Sequence, residues 1–496
     1  MLKMSNTLCW WNSRVLVGAG LLTAGLSTFP QPMSAQATDS IPPNFVVLVA
    51  DDLGWRDTGV YGNRVIRTPN IDRLASSGLR IRYAFGTSPQ CSPSRISMLT
   101  GKYAHAIGAE DLHTPLPQGE RILPWYLKAR GYFTGHMLKT HYGPNGERQF
   151  DWYSKKTAEA LPEFLDSAGT RPFFLWVGFH EHRPYARGAV TPPHSPGRVM
   201  LPPYLADTPE TREDLAWYYD ANARMDGEIG RMLAELDRRK LREKTVVVFL
   251  SDDGAPFPRE KGTLYDGGTR TPLLISWPAV IKSGAVYDRG LVSLVDLAPT
   301  ILELAGATPP ETMQGRSFGE LLNRPESYEG RTYVFSERNW HDCDEHQRAV
   351  RSRRFKLIRT DAYRELPLCT PSDIGASPSF LALRARANAG RLTAAQRRLF
   401  EAPRARLELY DLLNDPWEIR NVADDARYAK EVRDLSTVLQ EWIEGSGDFP
   451  SAYRVRDDNT DRITGVPFST KIPPLRNADV PPPAERWGKR PAELGM

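Results

Sequence analysis

Paired aspartates follow two separate apolar runs of the chain. Asp51 and Asp52 end NFVVLVADD, and Asp252 and Asp253 lie near the end of TVVVFLSDDG. Four carboxylates held together repel one another and raise each other's pKa unless a cation lies among them. Oxygen ligands suit Ca²⁺ or Mg²⁺, whereas zinc prefers nitrogen and sulfur. Two such pairs, each directly after an apolar run, favour a hard-cation site over simple polar strand ends.

Two further apolar runs end in lysine or histidine. GYFTGHMLKTH ends with Lys139 and His141, and PFFLWVGFHEH ends with His180 and His182. Runs that are apolar on both faces are typical of buried strands in an α/β sheet. Ligands of open α/β sheets bind beyond the carboxyl ends of the strands. We therefore expect the aspartates, lysine and histidines to converge on one edge of a sheet.

A cysteine stands directly before a predicted helix in CSPSRISMLTGK. Ser92 suits the N-cap, Pro93 suits the first helical position and Gly101 suits the C-terminal end. Cys91 would then lie at a helix N-terminus, where backbone N–H groups favour an anion, with Arg95 four residues further on. A buried, inert thiol ahead of a capped helix accounts for the same residues. On this stretch alone both interpretations stay open.

The first 37 residues are typical of an export signal. Lys3 and Arg14 provide the basic region, VLVGAGLLTAGLS provides the apolar run, and AQA at 35–37 is a small-x-small cleavage site. The apolar run is too short to span a membrane, which disfavours the alternative of a retained anchor. The sequence therefore predicts a periplasmic or secreted protein with no membrane association after cleavage.

The charge of the chain disfavours nucleic acid as a partner. The formal net charge is +4, and it falls to +2 when Lys3 and Arg14 leave with the signal. Nucleic-acid-binding domains are usually much more basic than this. Any selectivity for an anion must come from local groups.

Three cysteines remain once Cys9 leaves with the signal. An oxidising compartment favours a disulfide between Cys343 and Cys369. Cys91 is then the odd cysteine and a candidate for special chemistry.

The remaining pattern predicts an α/β domain over residues 38–330 and a smaller α+β subdomain over 331–496. Helices are expected at TPNIDRLASSG and DLAWYYDANARMDGEIGRMLAELDRR in the first part. Strands are expected at RTYVFSE, FKLIR and LELYDL, with a helix at AKEVRDLSTVLQEWIEG, in the second. The proline-rich residues 450–496 are expected to wrap the surface and to contact a neighbouring subunit if the protein is a homo-oligomer.

CSPSRISMLTGK resembles the C-x-P-S-R-x-x-x-L-T-G signature of the type I sulfatases, which belong to the alkaline phosphatase superfamily. The resemblance extends over nearly the whole mature chain, through NFVVLVADDLGW, TPNIDRLASSG, MLKTH, HEHRPY, SDDGAPFPREKGTLYDGGTRTPLL, LVSLVDLAPTILELAG and ELYDLLNDPWEIRNVADD. It implies a large mixed β-sheet sandwiched by helices, followed by a smaller C-terminal subdomain with an antiparallel sheet.

The resemblance also implies a modified nucleophile and a metal. An oxidising maturase would convert Cys91, in its C-x-P-x-R context, to Cα-formylglycine. One Ca²⁺ would be bound by residue 91 together with Asp51, Asp52, Asp252 and Asp253. The family usually has Asn or His at the last of these positions, so Asp253 adds a negative charge. The sulfate pocket would be lined by Arg95, Lys139, His141, His182 and Lys261.

These parts together imply hydrolysis of a sulfate ester. A hydrated aldehyde carries two hydroxyls on one carbon, so one can attack sulfur and the other can expel sulfate by losing a proton. Arginine, lysine and the metal stabilise charge on the non-bridging oxygens. His182 is expected to protonate the leaving group, with His180 as the competing candidate, and His141 to take the proton that triggers release.

The segments FSERNWHDCDEHQRAVRSRRFKLIR and PFPR look closest to the sulfamidase-like branch, which includes N-sulfoglucosamine sulfohydrolases. The implied substrate is a sulfated oligosaccharide or polysaccharide. Trp340 and His341 would contact a sugar, and Arg183, Arg259 and Arg338 would hold a uronate or a second sulfate. Interdomain packing of Trp340 and solvated surface positions for the arginines stay open as alternatives.

Two other functions fit the same scaffold. A phosphomonoester or phosphonate hydrolase would share the metal. A non-catalytic protein that binds sulfated glycans would have lost pocket residues, and apart from Asp253 no expected pocket position differs here.

Overall fold

Two β-sheets form the framework of the protein. The computed structural model describes residues 42–448 except 182, 184, 186 and 187. The predicted signal (1–37), the predicted surface tail (450–496) and His182 therefore lie outside the described residues. The strands are β1 (Asn44–Ala50), β2 (Leu79–Phe85), β3 (Phe133–Leu138), β4 (Trp152–Ser154), β5 (Phe173–Gly178), β6 (Thr245–Ser251), β7 (Arg270–Ser276), β8 (Ala285–Tyr287), β9 (Val292–Ser293), β10 (Val334–Arg338), β11 (Gln347–Arg351), β12 (Phe355–Thr360) and β13 (Leu407–Asp411).

The larger sheet has nine strands in the order β4-β3-β5-β1-β6-β7-β2-β8, with β9 paired to β2. Strands β4, β3, β5, β1 and β6 are parallel, and β7 runs antiparallel to both of its neighbours. The four apolar runs singled out in the sequence are thus the adjacent parallel strands β3, β5, β1 and β6. Their carboxyl ends meet at one edge of the sheet, as expected.

Helices cover both faces of this sheet. They are α1 (Pro69–Ser76), α2 (Cys91–Thr100), α3 (Leu123–Lys128), α4 (Gly143–Glu147), α5 (Leu161–Ala168), α6 (Pro209–Arg238), α7 (Asp266–Thr269), α8 (Leu297–Leu304), α9 (Gly319–Asn323), α10 (Ser372–Gly375), α11 (Pro378–Asn388), α12 (Ala394–Arg397) and α13 (Ala429–Ser446). Along β1, Val46 and Leu48 pack against α1, α5 and α6, whereas Phe45 and Val47 pack against α2, α3 and α8. Burial on both faces explains why the strand sequence is continuously apolar.

The second sheet is antiparallel, in the order β10-β11-β12-β13. Its apolar face packs against Leu435 and Leu439 of α13. The predicted strands and helix of this part are confirmed, and β11 was not predicted. The predicted division of the chain into two domains near residue 330 falls between α9 and β10 and stays a prediction.

Two predicted helix starts were wrong. Helix α2 begins at Cys91 after the extended residue Gln90, whereas Ser92 was expected to be its N-cap. The Ser92 hydroxyl instead accepts a hydrogen bond from the backbone N–H of His113, at 2.8 Å, so a tertiary contact takes its capping group. Helix α6 begins at Pro209, earlier than predicted, because the Thr208 hydroxyl caps its first turn. Gly101 ends α2 in the left-handed conformation, as expected.

No helix among residues 42–448, leaving aside the four undescribed positions, is long and apolar enough to cross a membrane.

Candidate active site

The two aspartate pairs lie side by side beyond the ends of β1 and β6. Ala50 pairs with Ser251 at the last position of the parallel register between β1 and β6. The two aspartate pairs, which come directly after these residues, therefore begin at the same level of the sheet. The backbone N–H of Asp52 donates to Asp252 Oδ1 at 3.2 Å. All four aspartates are buried, with at most 2% of any residue exposed. Asp52 has a φ of 58°, a left-handed conformation that is rare outside glycine and concentrates at functional sites.

Cys91 lies against these carboxylates at the start of α2. Its Sγ is 3.7 Å from Asp52 Oδ1. The possible ligand atoms of Cys91, Asp51 and Asp52 lie within 4.8 Å of one another, and so do those of Cys91, Asp252 and Asp253. Burial, with the charge of Asp253, raises the pKa of the thiol well above its usual range. An unmodified cysteine here would therefore be a protonated thiol and a poor nucleophile.

Arg95 ties the two aspartate pairs together from α2. Its Nε lies 2.7 Å from Asp252 Oδ2, its Nη2 lies 3.4 Å from Asp51 Oδ1, and its Nη1 donates to the carbonyl of Lys139 at 3.1 Å. The side chain is fully buried. A side chain at Gly178 would clash with this guanidinium, since an added Cβ would lie 2.6 Å from Nη1. Arg95 thus fixes the relative positions of the carboxylates.

Two lysines bind the first aspartate pair. Lys139 Nζ lies 2.6 Å from Asp51 Oδ1, and Lys261 Nζ lies 2.6 Å from Asp52 Oδ2. Although burial opposes it, Lys139 and a hydrogen bond from His180 hold the pKa of Asp51 well below its usual range. The Asp51 carboxylate is therefore ionised at neutral pH and available as a ligand.

Asp253 differs from the other three aspartates because it forms no ion pair with a described residue. Both of its carboxylate oxygens are buried, and neither has a hydrogen-bond donor among the described residues. Burial, followed by the charges of Asp52 and Asp252, raises its pKa well above the usual range. An ionised carboxylate in this position needs a cation, so the donor set fits a hard divalent metal ion.

The histidines lie around the same cluster. His141 Nε2 is 2.5 Å from Nδ1 of His113, a residue that the sequence analysis did not select. Burial, followed by the charges of Lys139 and His113, lowers the pKa of His141 well below its usual range. His180 Nδ1 lies 3.0 Å from Asp51 Oδ2. His141 is therefore a neutral imidazole at working pH.

Asp373 was also missed from sequence. Its Oδ2 lies 3.3 Å from Lys261 Nζ, and it belongs to the short helix α10. Although burial opposes it, Lys261 and His341 lower the pKa of Asp373. A carboxylate at this point is suited to accept hydrogen bonds from hydroxyl or amine groups of a sugar.

Trp340 and His341 approach the cluster from the loop after β10. Trp340 is 3% exposed and packs against Cys91 and Leu112. Its carbonyl accepts a hydrogen bond from the Gln90 amide at 2.7 Å. The structure therefore places this aromatic side chain beside residue 91.

The predicted disulfide between Cys343 and Cys369 is present, and Cys91 is free and buried. The disulfide joins the loop that carries Trp340 to the segment that leads into α10 and Asp373. It thus braces one wall of the site.

The three arginines proposed to contact sugar are buried in protein contacts, so the alternative of solvated surface charges is wrong for all of them. Arg183 pairs with Asp214 and donates to the carbonyl of Pro256. Arg259 donates to the carbonyl of Trp417 at 2.6 Å and is 2% exposed. Arg338 is fully buried and donates to the carbonyl of Cys369 at 2.9 Å. Their role toward a substrate stays a prediction.

A profile of the Sulfatase family matches residues 43–159 and 151–307 of the chain. The chain belongs to the sulfatase family. A second profile, N-sulphoglucosamine sulphohydrolase, C-terminal, matches residues 259–367 of this sulfatase. The family and fold expected from the sequence are confirmed, and the protein is a sulfuric ester hydrolase.

Two curated relatives and one solved structure are similar to this sulfatase. Human N-sulphoglucosamine sulphohydrolase is 33% identical over 457 residues, which span 81% of this chain and 90% of the relative. An ulvan-active sulfatase of Formosa agariphila is 30% identical over 467 residues, spanning 82% and 75%. A structure solved in complex with its substrate D-glucosamine-2-N,6-O-disulfate has a TM-score of 0.64 at 19% identity, covering 82% of this chain and 98% of its own.

Proposed function

We propose that this sulfatase removes sulfate, as an ester or a sulfamate, from a sulfated carbohydrate derived from a polysaccharide. The observation that carries the proposal is the buried cluster in which four aspartates and Cys91 are interleaved with Arg95, Lys139 and Lys261. Such a site binds a small tetrahedral dianion through cations while it excludes water.

One Ca²⁺ would be held by residue 91 with Asp51, Asp52, Asp252 and Asp253. The buried carboxylate of Asp253, which has no hydrogen-bond donor in the described part of the chain, supports this ligand set. When bound, the ion neutralises the carboxylates and polarises sulfate oxygens. Lys139 and Lys261, which now pair with Asp51 and Asp52, lie where they can share their hydrogen bonds with those oxygens.

Residue 91 would act as formylglycine, produced by a maturase that reads Cys91, Pro93 and Arg95. Once hydrated, the aldehyde supplies one hydroxyl for attack on sulfur and a second for release of sulfate. The buried, protonated thiol of the unmodified residue could not replace it. Arg95 keeps the cluster in place, so it acts as a positioning residue as well as a sulfate contact.

Histidine side chains would carry out the proton transfers. His141 is neutral and buried, which suits it to accept the proton whose loss expels sulfate. His182 or His180 would protonate the leaving group, and His180 already contacts Asp51 at the edge of the cluster. Trp340 beside Cys91, and His341 behind it, would contact the sugar.

The choice of substrate class follows the relatives. The names of the relatives, N-sulphoglucosamine sulphohydrolase and ulvan-active sulfatase, both indicate sulfated carbohydrate chemistry. The predicted export signal and the disulfide between Cys343 and Cys369 support a periplasmic or secreted location. The enzyme would encounter polysaccharide fragments there.

The test is a panel of oligosaccharides that carry sulfate at one defined position each, N-, 2-O- or 6-O-, with released sulfate measured by ion chromatography. The wild-type protein should release sulfate from at least one member, and Cys91→Ala should release none. Turnover of aryl phosphate without turnover of any sulfate would contradict the proposal.

A further inference from the structure

A cavity of about 710 Å³ opens between the large sheet and the small sheet, away from the candidate active site. Seven arginines line it, from the loop after β1, from β2 and β7, and from β11 and the residues after it. We call it the arginine cavity. None of the residues of the candidate active site lines it. Its volume falls in the range of about 300–1,000 Å³ that is usual for ligand sites.

The positive charge of the arginine cavity is only partly compensated. Its one acidic lining residue, Asp266, is already bound by Lys356 at 2.6 Å and by Arg351 at 3.1 Å. Among the described residues, no carboxylate lies within 4.0 Å of Arg56, Arg80, Arg270 or Arg353. The first three donate to main-chain carbonyls, which carry no neutralising charge. Clustered like charges of this kind are costly unless an anion is bound.

Arg270 shows that the site is built into the fold. It is 8% exposed and lies over Trp55 at 3.5 Å and Tyr83 at 4.7 Å from the ring centroids. Its Nε has no hydrogen-bond partner among the described residues. Burial lowers the pKa of Arg270 to about 10, because the nearby charge of Asp266 only partly offsets the loss of solvation. A buried donor without an acceptor is unfavourable and points to a missing ligand.

We propose that the arginine cavity is a second, non-catalytic binding site for an anionic stretch of the sulfated oligosaccharide chain. The choice of a sulfated carbohydrate rests on the proposed function, whereas the preference for a multiply charged anion rests on the cavity itself. Several planar guanidinium groups match sulfate and carboxylate groups with two hydrogen bonds each.

The cavity and the active site share one structural element. Asp266 begins α7, and the α7 backbone packs tightly on Gly254, the residue after Asp253, since a Cβ at Gly254 would lie 1.9 Å from the carbonyl of Gly267. A chain bound in the cavity is therefore anchored close to the element that supports the metal ligands. Binding in the arginine cavity would lower KM for long oligosaccharide substrates and leave the turnover of small sulfate esters unchanged.

The test uses Arg82→Gln/Arg353→Gln, which removes two exposed charges of the cavity. Arg391→Gln/Arg433→Gln removes two exposed arginines elsewhere and is the matched control. Calorimetry on proteins that also carry Cys91→Ala measures the binding of three probes. They are a sulfated hexasaccharide, the same hexasaccharide after desulfation, and inorganic sulfate. Sulfate release from the hexasaccharide and from an aryl sulfate is measured on proteins with Cys91 intact.

We expect the cavity variant to bind the sulfated hexasaccharide about tenfold more weakly than the control, with an equal rise in KM and no change toward the aryl sulfate. Equal affinity in both variants would overturn the proposal, as would equal binding of the desulfated chain. The wild-type protein could release no sulfate and still bind the sulfated hexasaccharide more tightly than the cavity variant does. That result would contradict the proposed function and support the second binding site.

Discussion

Lys261 joins the edge of the large sheet to helix α10, because its Nζ lies 2.6 Å from Asp52 and 3.3 Å from Asp373. The Lys261 ammonium thus binds Asp52, a candidate metal ligand, and Asp373, which lies on the wall of the site that the disulfide braces. A metal ion that binds Asp52 would weaken the first contact and leave the ammonium free to bind sulfate. Metal binding and formation of the sulfate pocket are therefore expected to be coupled.

Asp253→Asn tests the metal ligand set. The substitution removes a carboxyl group whose ionisation is opposed by burial and by the charges of Asp52 and Asp252, so the chelator-treated protein should gain on the order of 1 kcal/mol in free energy of unfolding. Its Ca²⁺ affinity should fall about tenfold or more because one charged ligand is lost. Both are measured by denaturant titration and calorimetry.

Asp51→Asn is the matched comparison. This residue binds Lys139 and His180, so its loss should lower both stability and Ca²⁺ affinity. Undiminished Ca²⁺ affinity in the Asp253→Asn protein would show that this residue is not a ligand.

His141→Gln tests the proposed proton acceptor. We expect sulfate release to fall on the order of 10²-fold, because general-base catalysis contributes about 10²–10⁴-fold. His136→Gln is the control, since His136 is also buried, on β3, and its pKa is lowered to about 4 by burial, but it stacks on Tyr153 away from the cluster. Equal losses in the two variants would assign His141 a structural role only.

Parts of the fold and site could be predicted because their signals are local. The apolar runs of β1 and β6 identify buried strands, and the polar residues after them must lie at strand ends. The pairing of Cys343 with Cys369 followed from counting the cysteines of a chain predicted to be exported. In contrast β2, LRIRYAF, was not singled out although apolar and polar residues alternate along it.

Other features depend on contacts between distant segments. Asp373 meets Lys261 across 112 residues of sequence, and nothing near either residue indicates the contact. Ser92 loses its capping role to the backbone of His113. Arg259 and Arg338 are buried because remote carbonyls accept their hydrogen bonds, whereas arginine is usually exposed.

Glu260 should make stability depend on pH. Burial, followed by the charge of Asp57, raises its pKa to about 8, so the folded protein keeps a proton that the unfolded chain loses near its ordinary value of 4.5. As pH rises between these values, the free energy of unfolding should fall by up to about 1.4 kcal/mol per pH unit. Denaturant unfolding of the Ca²⁺-loaded protein from pH 5 to pH 8 measures this.

Glu260→Gln should flatten that dependence, because the amide oxygen can still accept the hydrogen bond from the Tyr204 hydroxyl, now 2.7 Å long. Glu163→Gln, an exposed glutamate of α5, should keep the wild-type slope. An unchanged slope in Glu260→Gln would mean that this group does not hold the proton.

Removal of the disulfide should loosen the wall of the site. In Cys343→Ser/Cys369→Ser the free energy of unfolding should fall by about 2–4 kcal/mol. KM should rise for oligosaccharides, because Trp340 and Asp373 lie on the segments that the disulfide joins. Unchanged stability and KM, measured on protein with the same degree of modification at residue 91, would contradict this role.

The chemical state of residue 91 decides whether the protein hydrolyses sulfate through a formylglycine. Mass spectrometry of the peptide that contains residue 91, from protein of known specific activity, measures the fraction of cysteine converted to aldehyde. We expect sulfate release to rise in proportion to this fraction across preparations made with and without a maturase. Full activity in protein whose residue 91 is entirely the unmodified thiol would contradict it.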